Sequence, residues 1–351
     1  MARVFLMITE READGGTAVS DRPATANIPS AASVGDLNRR ITGWFAAEAR
    51  DLPWREPECS PWGIFVSEVM LQQTPVVRVL PVWREWLERW PTPRDLAAEP
   101  SGAAVRHWGR LGYPRRALRL HAAATAIVAD HGGAVPATHD ELLSLPGVGS
   151  YTAAAVAAFA FGRRETVVDT NIRRVHARLI GGAALPAPSL NAAEMKRAVA
   201  LLPDDDTLSM RWNAGVMELG AVICTARAPL CDACPVRDAC AWVRAGRPAP
   251  TYVPRGQSWA GTDRQVRGAV VAVLREADAP VSRSWLFEAP VDLSIGGPTM
   301  TVPVEAAASQ PTALTALHRL QAPAEQLERA IAGLLADGLA EEHDGGLRLP
   351  G

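Results

Sequence analysis

Four thiols at Cys224, Cys231, Cys234 and Cys240, spaced Cys-x6-Cys-x2-Cys-x5-Cys, constrain this chain more than any other feature. Thiolates this close together demand a metal, and both a structural zinc and a [4Fe–4S] cluster satisfy them chemically. Structural zinc sites more often pair two Cys-x2-Cys knuckles, and here Cys231 and Cys234 form a single one. A disulfide framework does not suit a chain of 351 residues whose N-terminal apolar patch, 4–8, is too short for a secretory core. The remaining cysteine, Cys59, stands apart. The cluster reads as a metal site in a reducing cytoplasm.

The richest apolar run, 153–161, is about half the roughly 20 residues a membrane span needs, so no membrane partner is expected. Lys+Arg 36 against Asp+Glu 38 gives a net charge of -2, and no global basic field advertises nucleic acid. Lys196 is the only lysine, which leaves one candidate for Schiff-base chemistry. Residues 1–35 lack periodicity and read as a disordered tail. From Asp36 onward apolar residues recur at three and four positions, the helical signal, and 36–243 reads as one helical domain. Helices are expected at 76–90, 101–109, 115–130, 139–144, 150–161, 171–180, 191–202 and 209–222. Ser60-Pro61 and Thr74-Pro75 carry the cap-then-proline signature of helix starts. A Pro-, Gly- and Arg-rich stretch, 244–261, reads as a linker. Beyond it, 262–351 offers helices at 264–274, 283–287 and 324–336. Strands at 338–342 and 347–349 flank Asp344-Gly345-Gly346, a winged-helix-like pattern, with 288–311 as a loop insertion.

Four further segments carry chemistry. In Leu145-Pro146-Gly147-Val148-Gly149-Ser150-Tyr151 the two glycines permit a tight turn with positive φ between helices. The amides of Gly147, Val148, Gly149 and Ser150 are then presented at a helix start, as a helix-hairpin-helix presents them to a DNA phosphate. In Val168-Asp169-Thr170-Asn171 the aspartate stands just ahead of a helix. It either caps that helix or, held ionised by the same amides, stabilises a cation forming on a sugar. Glu68 shares a helical face with Ile64 and Leu71; it either snorkels to solvent or is buried, its pKa raised as a general acid requires. Gln72-Gln73-Thr74 follows with groups able to read base edges or fill a gap in a duplex. Leu111-Gly112-Tyr113 precedes Arg115, Arg116 and Arg119, which suits an aromatic wedge with phosphate contacts nearby, or a core tyrosine before a solvated helix face.

Taken in order, Leu52-Pro53-Trp54-Arg55, Ser67 to Thr74, Leu111-Gly112-Tyr113, the hairpin, Asp169-x-Asn171 and the four cysteines resemble the endonuclease III superfamily of DNA glycosylases. Within it they resemble the adenine glycosylases of the MutY family. The resemblance runs from about Leu52 to Cys240. It implies a mainly α, two-lobed helical fold with the active site in the cleft, and a [4Fe–4S] cluster on the four cysteines. It further implies a monomer that removes adenine mispaired with 8-oxoguanine or guanine in double-stranded DNA, in the bacterial cytoplasm at the nucleoid. By position, Glu68 matches the acid that protonates adenine and Asp169 the carboxylate that stabilises the oxocarbenium ion. Asn171 orients these groups, and Tyr151 stands where bifunctional relatives carry a lysine, which implies a monofunctional enzyme. Trp54, Arg55, Gln72, Gln73, Thr74, Leu111 and Tyr113 match positions that contact the extruded adenine or wedge around the opposite base.

Two features depart from that pattern. Residues 262–351 do not resemble the NUDIX-like domain that recognises 8-oxoguanine in many members, and resemble the tail of actinobacterial ones instead. Thr170 stands where many members carry glycine. The competing readings are a thymine or uracil mismatch glycosylase of the same superfamily and a catalytically silent DNA-binding iron–sulfur module.

Overall fold

A computed structural model describes residues 30–253, 256, 258–288 and 311–351; most of the expected tail and of the expected 288–311 insertion lie outside them. The chain opens with α1 (Ala31–Glu48), a 3-10 turn (Pro53–Arg55) and α2 (Pro61–Leu71). Then follow α3 (Val76–Arg89), α4 (Pro93–Ala97), α5 (Ser101–His107), α6 (Arg115–Asp130), α7 (His139–Ser144) and α8 (Ser150–Phe161). Next come α9 (Thr170–Leu179), α10 (Ala192–Leu201), α11 (Asp206–Val222), a second 3-10 turn (Cys231–Ala233) and α12 (Ala241–Arg244). The C-terminal unit is α13 (Asp263–Glu276), β1 (Val281–Ser282), α14 (Arg283–Phe287), α15 (Thr312–His318), α16 (Ala324–Ala336), β2 (Glu341–His343) and β3 (Gly346–Arg348).

Local chemistry accounts for the helix starts, with two corrections. The Ser60 hydroxyl accepts from the Gly63 amide at 3.1 Å with Pro61 at the first helical position, so α2 begins as its sequence demands. Thr74, by contrast, does not cap α3; Pro75 holds the cap position with no side-chain bond, because the Thr74 hydroxyl is turned into the protein. The N-terminal helix starts at Ala31, inside the expected tail, because Ser30 supplies a cap for the Ser33 amide.

Two apolar cores organise the helices. The first lies among α2 to α8 and is dominated by tryptophans: Trp86 packs edge-on to Trp90 and Trp108 with ring centroids 4.8 and 5.4 Å apart. The second lies among α1, α9, α11 and the cysteine loop and contains Ile41, Ile172, Leu179, Trp212 and Trp242. Helix α8 is the wall between them. Its Ala153, Val156 and Ala157 belong to the first core and Ala154, Ala155 and Ala158 to the second. A helix buried all round needs small side chains on every face, which explains the alanine run in a stretch that is apolar without a polar side.

The C-terminal unit extends the first core. Val270, Leu274, Leu334 and Leu347 are continuous with it. The Arg275 guanidinium donates to the Val105 carbonyl at 2.8 Å and the Gly102 amide to the Pro350 carbonyl at 2.8 Å. Its strands pair in the antiparallel order β1-β3-β2. The hairpin turn is Asp344-Gly345, both with positive φ as a type I′ turn requires, so Gly346 pairs with His343 and β3 begins one residue earlier than the sequence suggests, while β2 is shorter than expected.

Candidate active site

Three side chains from three elements meet between the two lobes. Glu68 stands on α2, which is buried from Trp62 to Met70, and is itself 6% exposed. The Tyr151 hydroxyl, in the first turn of α8, donates to Glu68 Oε2 at 3.0 Å. Burial drives the Glu68 carboxyl up to about 7 against the lowering effect of the Tyr151 bond; the nearby Asp169 charge adds to the rise and Arg55 opposes it. Glu68 thus carries a proton over much of the neutral range.

Asp169 occupies the cap position of α9. Its Oδ1 accepts from the Ile172 amide at 2.7 Å and its Oδ2 from Asn171 Nδ2 at 2.7 Å. The sequence suggests that these amides hold Asp169 ionised, and the structure sets burial against them. Burial outweighs the amides, the Asn171 side chain and Arg174, and the carboxyl is raised. Two buried carboxyls in one site settle their charge by donor count: Asp169 has backbone and side-chain donors where Glu68 has one phenol, so the negative charge rests on Asp169 and the proton on Glu68.

A second carboxylate network, unread in the sequence, flanks this pair. Glu218 on α11 is 1% exposed and accepts a two-pronged bond from Arg50 at 2.6 and 2.7 Å, and one from Arg55 at 2.8 Å. The two guanidinium groups overcome its burial and hold it down at about 2. Arg55 therefore stands beside Glu68 with its own charge already partnered. Glu218 gives no sequence signal, since its partners lie far away in the chain and a lone Glu in Met217-Glu218-Leu219 reads as snorkelling.

The segments expected to probe DNA divide sharply by exposure. Gln73 and Tyr113 point outward, and both are non-glycine residues with positive φ, 57° and 49°. Their neighbours turn inward. Thr74 and Leu111 are buried, Trp54 packs edge-on against Trp83, and Gln72 Nε2 donates to Thr152 Oγ1 at 3.2 Å. Arg116, expected in a phosphate-contacting cluster, is also buried, which removes it from any phosphate; Arg115 and Arg119 remain exposed.

In the hairpin Gly147 has φ +76°, and a Cβ there would meet Arg119 Cβ at 2.6 Å, so both conformation and space require glycine. Gly149 is extended, with open space where a Cβ would stand, correcting the expectation of two positive-φ glycines. It caps α8 without any side-chain bond, leaving exposed first-turn amides free for an anion.

The four cysteines line one cavity together with Arg178, Ile223, Pro229, Arg237, Trp242 and Val243. Four thiols around one opening are the donor set that a cysteine-ligated iron–sulfur cluster takes. Two buried arginines of α9 bind this loop to the site. Arg174 donates to the carbonyls of Cys224 and Gly220 at 2.8 and 2.7 Å and to Asn171 Oδ1 at 2.8 Å. Arg178 donates to Thr225 O at 2.7 Å and lies 3.4 Å from Cys224 Sγ. A hydrogen-bond chain therefore runs from Cys224 through Arg174 and Asn171 to Asp169.

Comparison with known proteins agrees with this geometry. Residues 66–200 match the HhH-GPD superfamily of base excision DNA repair proteins, and residues 224–240 match the iron–sulfur binding domain of endonuclease III. The chain is 46% identical over 321 residues to the adenine DNA glycosylase of Mycobacterium tuberculosis, covering 91% of this chain and 94% of that protein. It is 50% identical over 246 residues to that of Mycolicibacterium smegmatis, covering 70% and 83%. Among solved structures, a thermostable thymine-DNA glycosylase superposes with a TM-score of 0.55 at 29% identity, over 61% of this chain and 98% of that one. The chain carries a [4Fe–4S] cluster, and the stretch that matches the iron–sulfur binding domain begins at Cys224 and ends at Cys240.

Proposed function

This chain belongs to the adenine DNA glycosylases, within the HhH-GPD superfamily of base excision DNA repair proteins, and from that premise we propose how its site works. The substrate is adenine opposite 8-oxoguanine or guanine in duplex DNA. The hairpin amides and the exposed N-terminus of α8 hold a backbone phosphate while Gln73 and Tyr113 enter the stack and the adenine turns out toward Glu68. Adenine is a poor leaving group as an anion, so Glu68 gives it a proton as the glycosidic bond breaks. Asp169, ionised and oriented by Asn171, stabilises the oxocarbenium ion, and water adds at the anomeric carbon. Cys224, Cys231, Cys234 and Cys240 would hold the cluster, whose iron–thiolate bonds would fasten the 224–240 loop; Arg174 ties that loop to Asn171, and Asn171 to Asp169, through hydrogen bonds.

The single observation that carries this reading is the carboxyl pair: a buried Glu68 raised to about 7 beside an aspartate with the greater donor count. Tyr151 in place of an amine, with the sole lysine on α10, supports hydrolysis without strand cleavage. The enzyme acts as a monomer at the bacterial nucleoid. Likeness to thymine-DNA glycosylases keeps thymine as the second reading. Single-turnover incubation with A:8-oxoG, A:G and T:G duplexes separates them: adenine is released from the first two, T:G stays intact, and strands break only after alkali. Release of thymine, or strand cleavage without alkali, overturns the reading.

A further inference from the structure

Arg116 is a buried cation with no carboxylate beside it among the described residues. Its Nη1 donates to the carbonyls of Val69, Met70 and Gln72 at 2.9, 2.9 and 2.6 Å, and its Nη2 to Thr74 Oγ1 and Gly112 O at 2.9 and 3.0 Å. Its guanidinium carbon lies 5.2 Å from the Trp108 ring centroid and 5.6 Å from that of Tyr113. The first group of acceptors is the last turn of α2, whose carbonyls have no partner within the helix and favour a cation. The second group belongs to the two segments that carry Gln73 and Tyr113. Thr74 Oγ1 closes the link by donating to Leu111 O at 3.2 Å.

The chemistry of that arrangement is specific. Gln73 and Tyr113 both sit in the left-handed region, which is unfavourable for a non-glycine residue and persists only where the surroundings enforce it. One fork-shaped donor satisfies both segments at once, so neither tip can relax without breaking bonds that hold the other. A lysine offers a point charge and cannot span the two segments.

We propose that Arg116 is the positioning residue that fixes Gln73 and Tyr113 relative to each other, so that they enter the duplex as one rigid device and set the discrimination of mispaired from paired DNA. This rests on the functional reading above. It assigns Arg116 no contact with DNA.

The test is a mutant cycle. Arg116→Gln is made in the wild-type background and in Gln73→Ala/Tyr113→Ala, with melting temperature and iron content checking the fold. Single-turnover excision from A:8-oxoG DNA should fall at least tenfold in the wild-type background and less than twofold in the background without tips. The preference for mismatched over paired duplex in equilibrium binding should follow the same pattern. Arg116→Lys should restore melting temperature but not that preference. If Arg116→Gln does not fold, Arg116→Lys and Thr74→Val carry the same cycle. An equal loss in both backgrounds, or an unchanged preference in folded variants, overturns the proposal. A wild-type protein that releases no adenine overturns the functional reading instead, and the binding cycle still decides the role of Arg116.

Discussion

The two lobes hold their halves of the site by opposite means. In the first, Glu68 is surrounded by packed apolar side chains and given a single phenolic donor, so burial decides its charge. In the second, Asp169 rests on a lattice of directed bonds that passes through Asn171 and Arg174 to the carbonyl of Cys224. An unpaired dry environment makes an acid, whereas a ring of donors keeps an anion. The same contrast predicts how each half fails: the first through lost packing or a changed proton, the second through any break in its chain of bonds.

The largest break comes from the cluster. Cys234→Ser removes an iron ligand, and the protein should lose its about four irons together with measurable excision, because the loop that anchors Arg174 is released. Cys59→Ser, half-buried against α2 and outside the cavity, should keep iron and activity. Iron analysis beside a single-turnover assay checks both; a Cys234→Ser protein that binds one zinc and excises normally contradicts the dependence of the second lobe on its cluster.

Next in size are the carboxyls. Glu68→Gln keeps a partner for Tyr151 but has no proton to give, and Asp169→Asn keeps the α9 cap but not the charge. Each should slow excision by about 10²–10⁴-fold with duplex affinity nearly unchanged, since both act in the transition state. In the wild type the rate should decline as pH rises through about 7, where Glu68 loses its proton, and Glu68→Gln should lack that limb.

A smaller effect separates the lobes by pH. His176, inside the second core, stacks on Trp212 with centroids 6.3 Å apart, and burial lowers its pKa to about 3. Below about 6.5 the unfolded chain takes a proton that the folded one refuses, so this residue costs stability increasingly as pH falls, by about 1.4 kcal/mol per unit. Glu68 acts in the opposite sense. Its raised pKa favours folding at low pH, and that contribution is lost as pH rises through about 7. His176→Phe, which preserves the stack, should therefore gain stability over the wild type between pH 7 and 5, by about 2 kcal/mol at the lower end. Parallel denaturation curves at the two pH values would show instead that His176 is protonated without cost.

The same contrast explains what the sequence revealed. Helices α6 to α11 are legible to within a few residues, because their signals are local: side-chain caps for α7, α9, α10 and α11, an apolar stripe for α6 and an unbroken apolar run for α8. Helix α4 escaped notice despite the Thr92–Asp95 capping box, since five residues show no period. Short α12 and α15 escaped for the same reason. In the site, Glu68, Tyr151, Asp169 and the cysteines announce themselves through motifs. The groups that position them do not. Arg116 sits in a run of arginines that reads as a phosphate-binding face, and only the fold turns it inward. Glu218 and Arg50 are ordinary charges until α11 brings them together.

The smallest effect concerns the C-terminal unit, which shares the core of the first lobe and meets its probing edge through Asp337. Asp337, at the end of α16, pairs with the half-buried Arg267 and, at 3.2 Å, with exposed Arg115, two residues from Tyr113. Such partly exposed pairs contribute about 0–1 kcal/mol. Arg115 points away from the clamp that Arg116 forms, so releasing it should not disturb the tips. In the β2–β3 hairpin Arg348 pairs Glu341 and Arg283 pairs Glu342 on β2, while Asp344 in the turn opposes a phosphate contact at the tip. Asp337→Asn should accordingly lower stability by less than about 1 kcal/mol and leave the ratio of excision opposite 8-oxoguanine and guanine within twofold of the wild type. A tenfold change in that ratio, about 1.4 kcal/mol of discrimination, would place the C-terminal unit in the reading of the opposite base and join it functionally to the edge it borders.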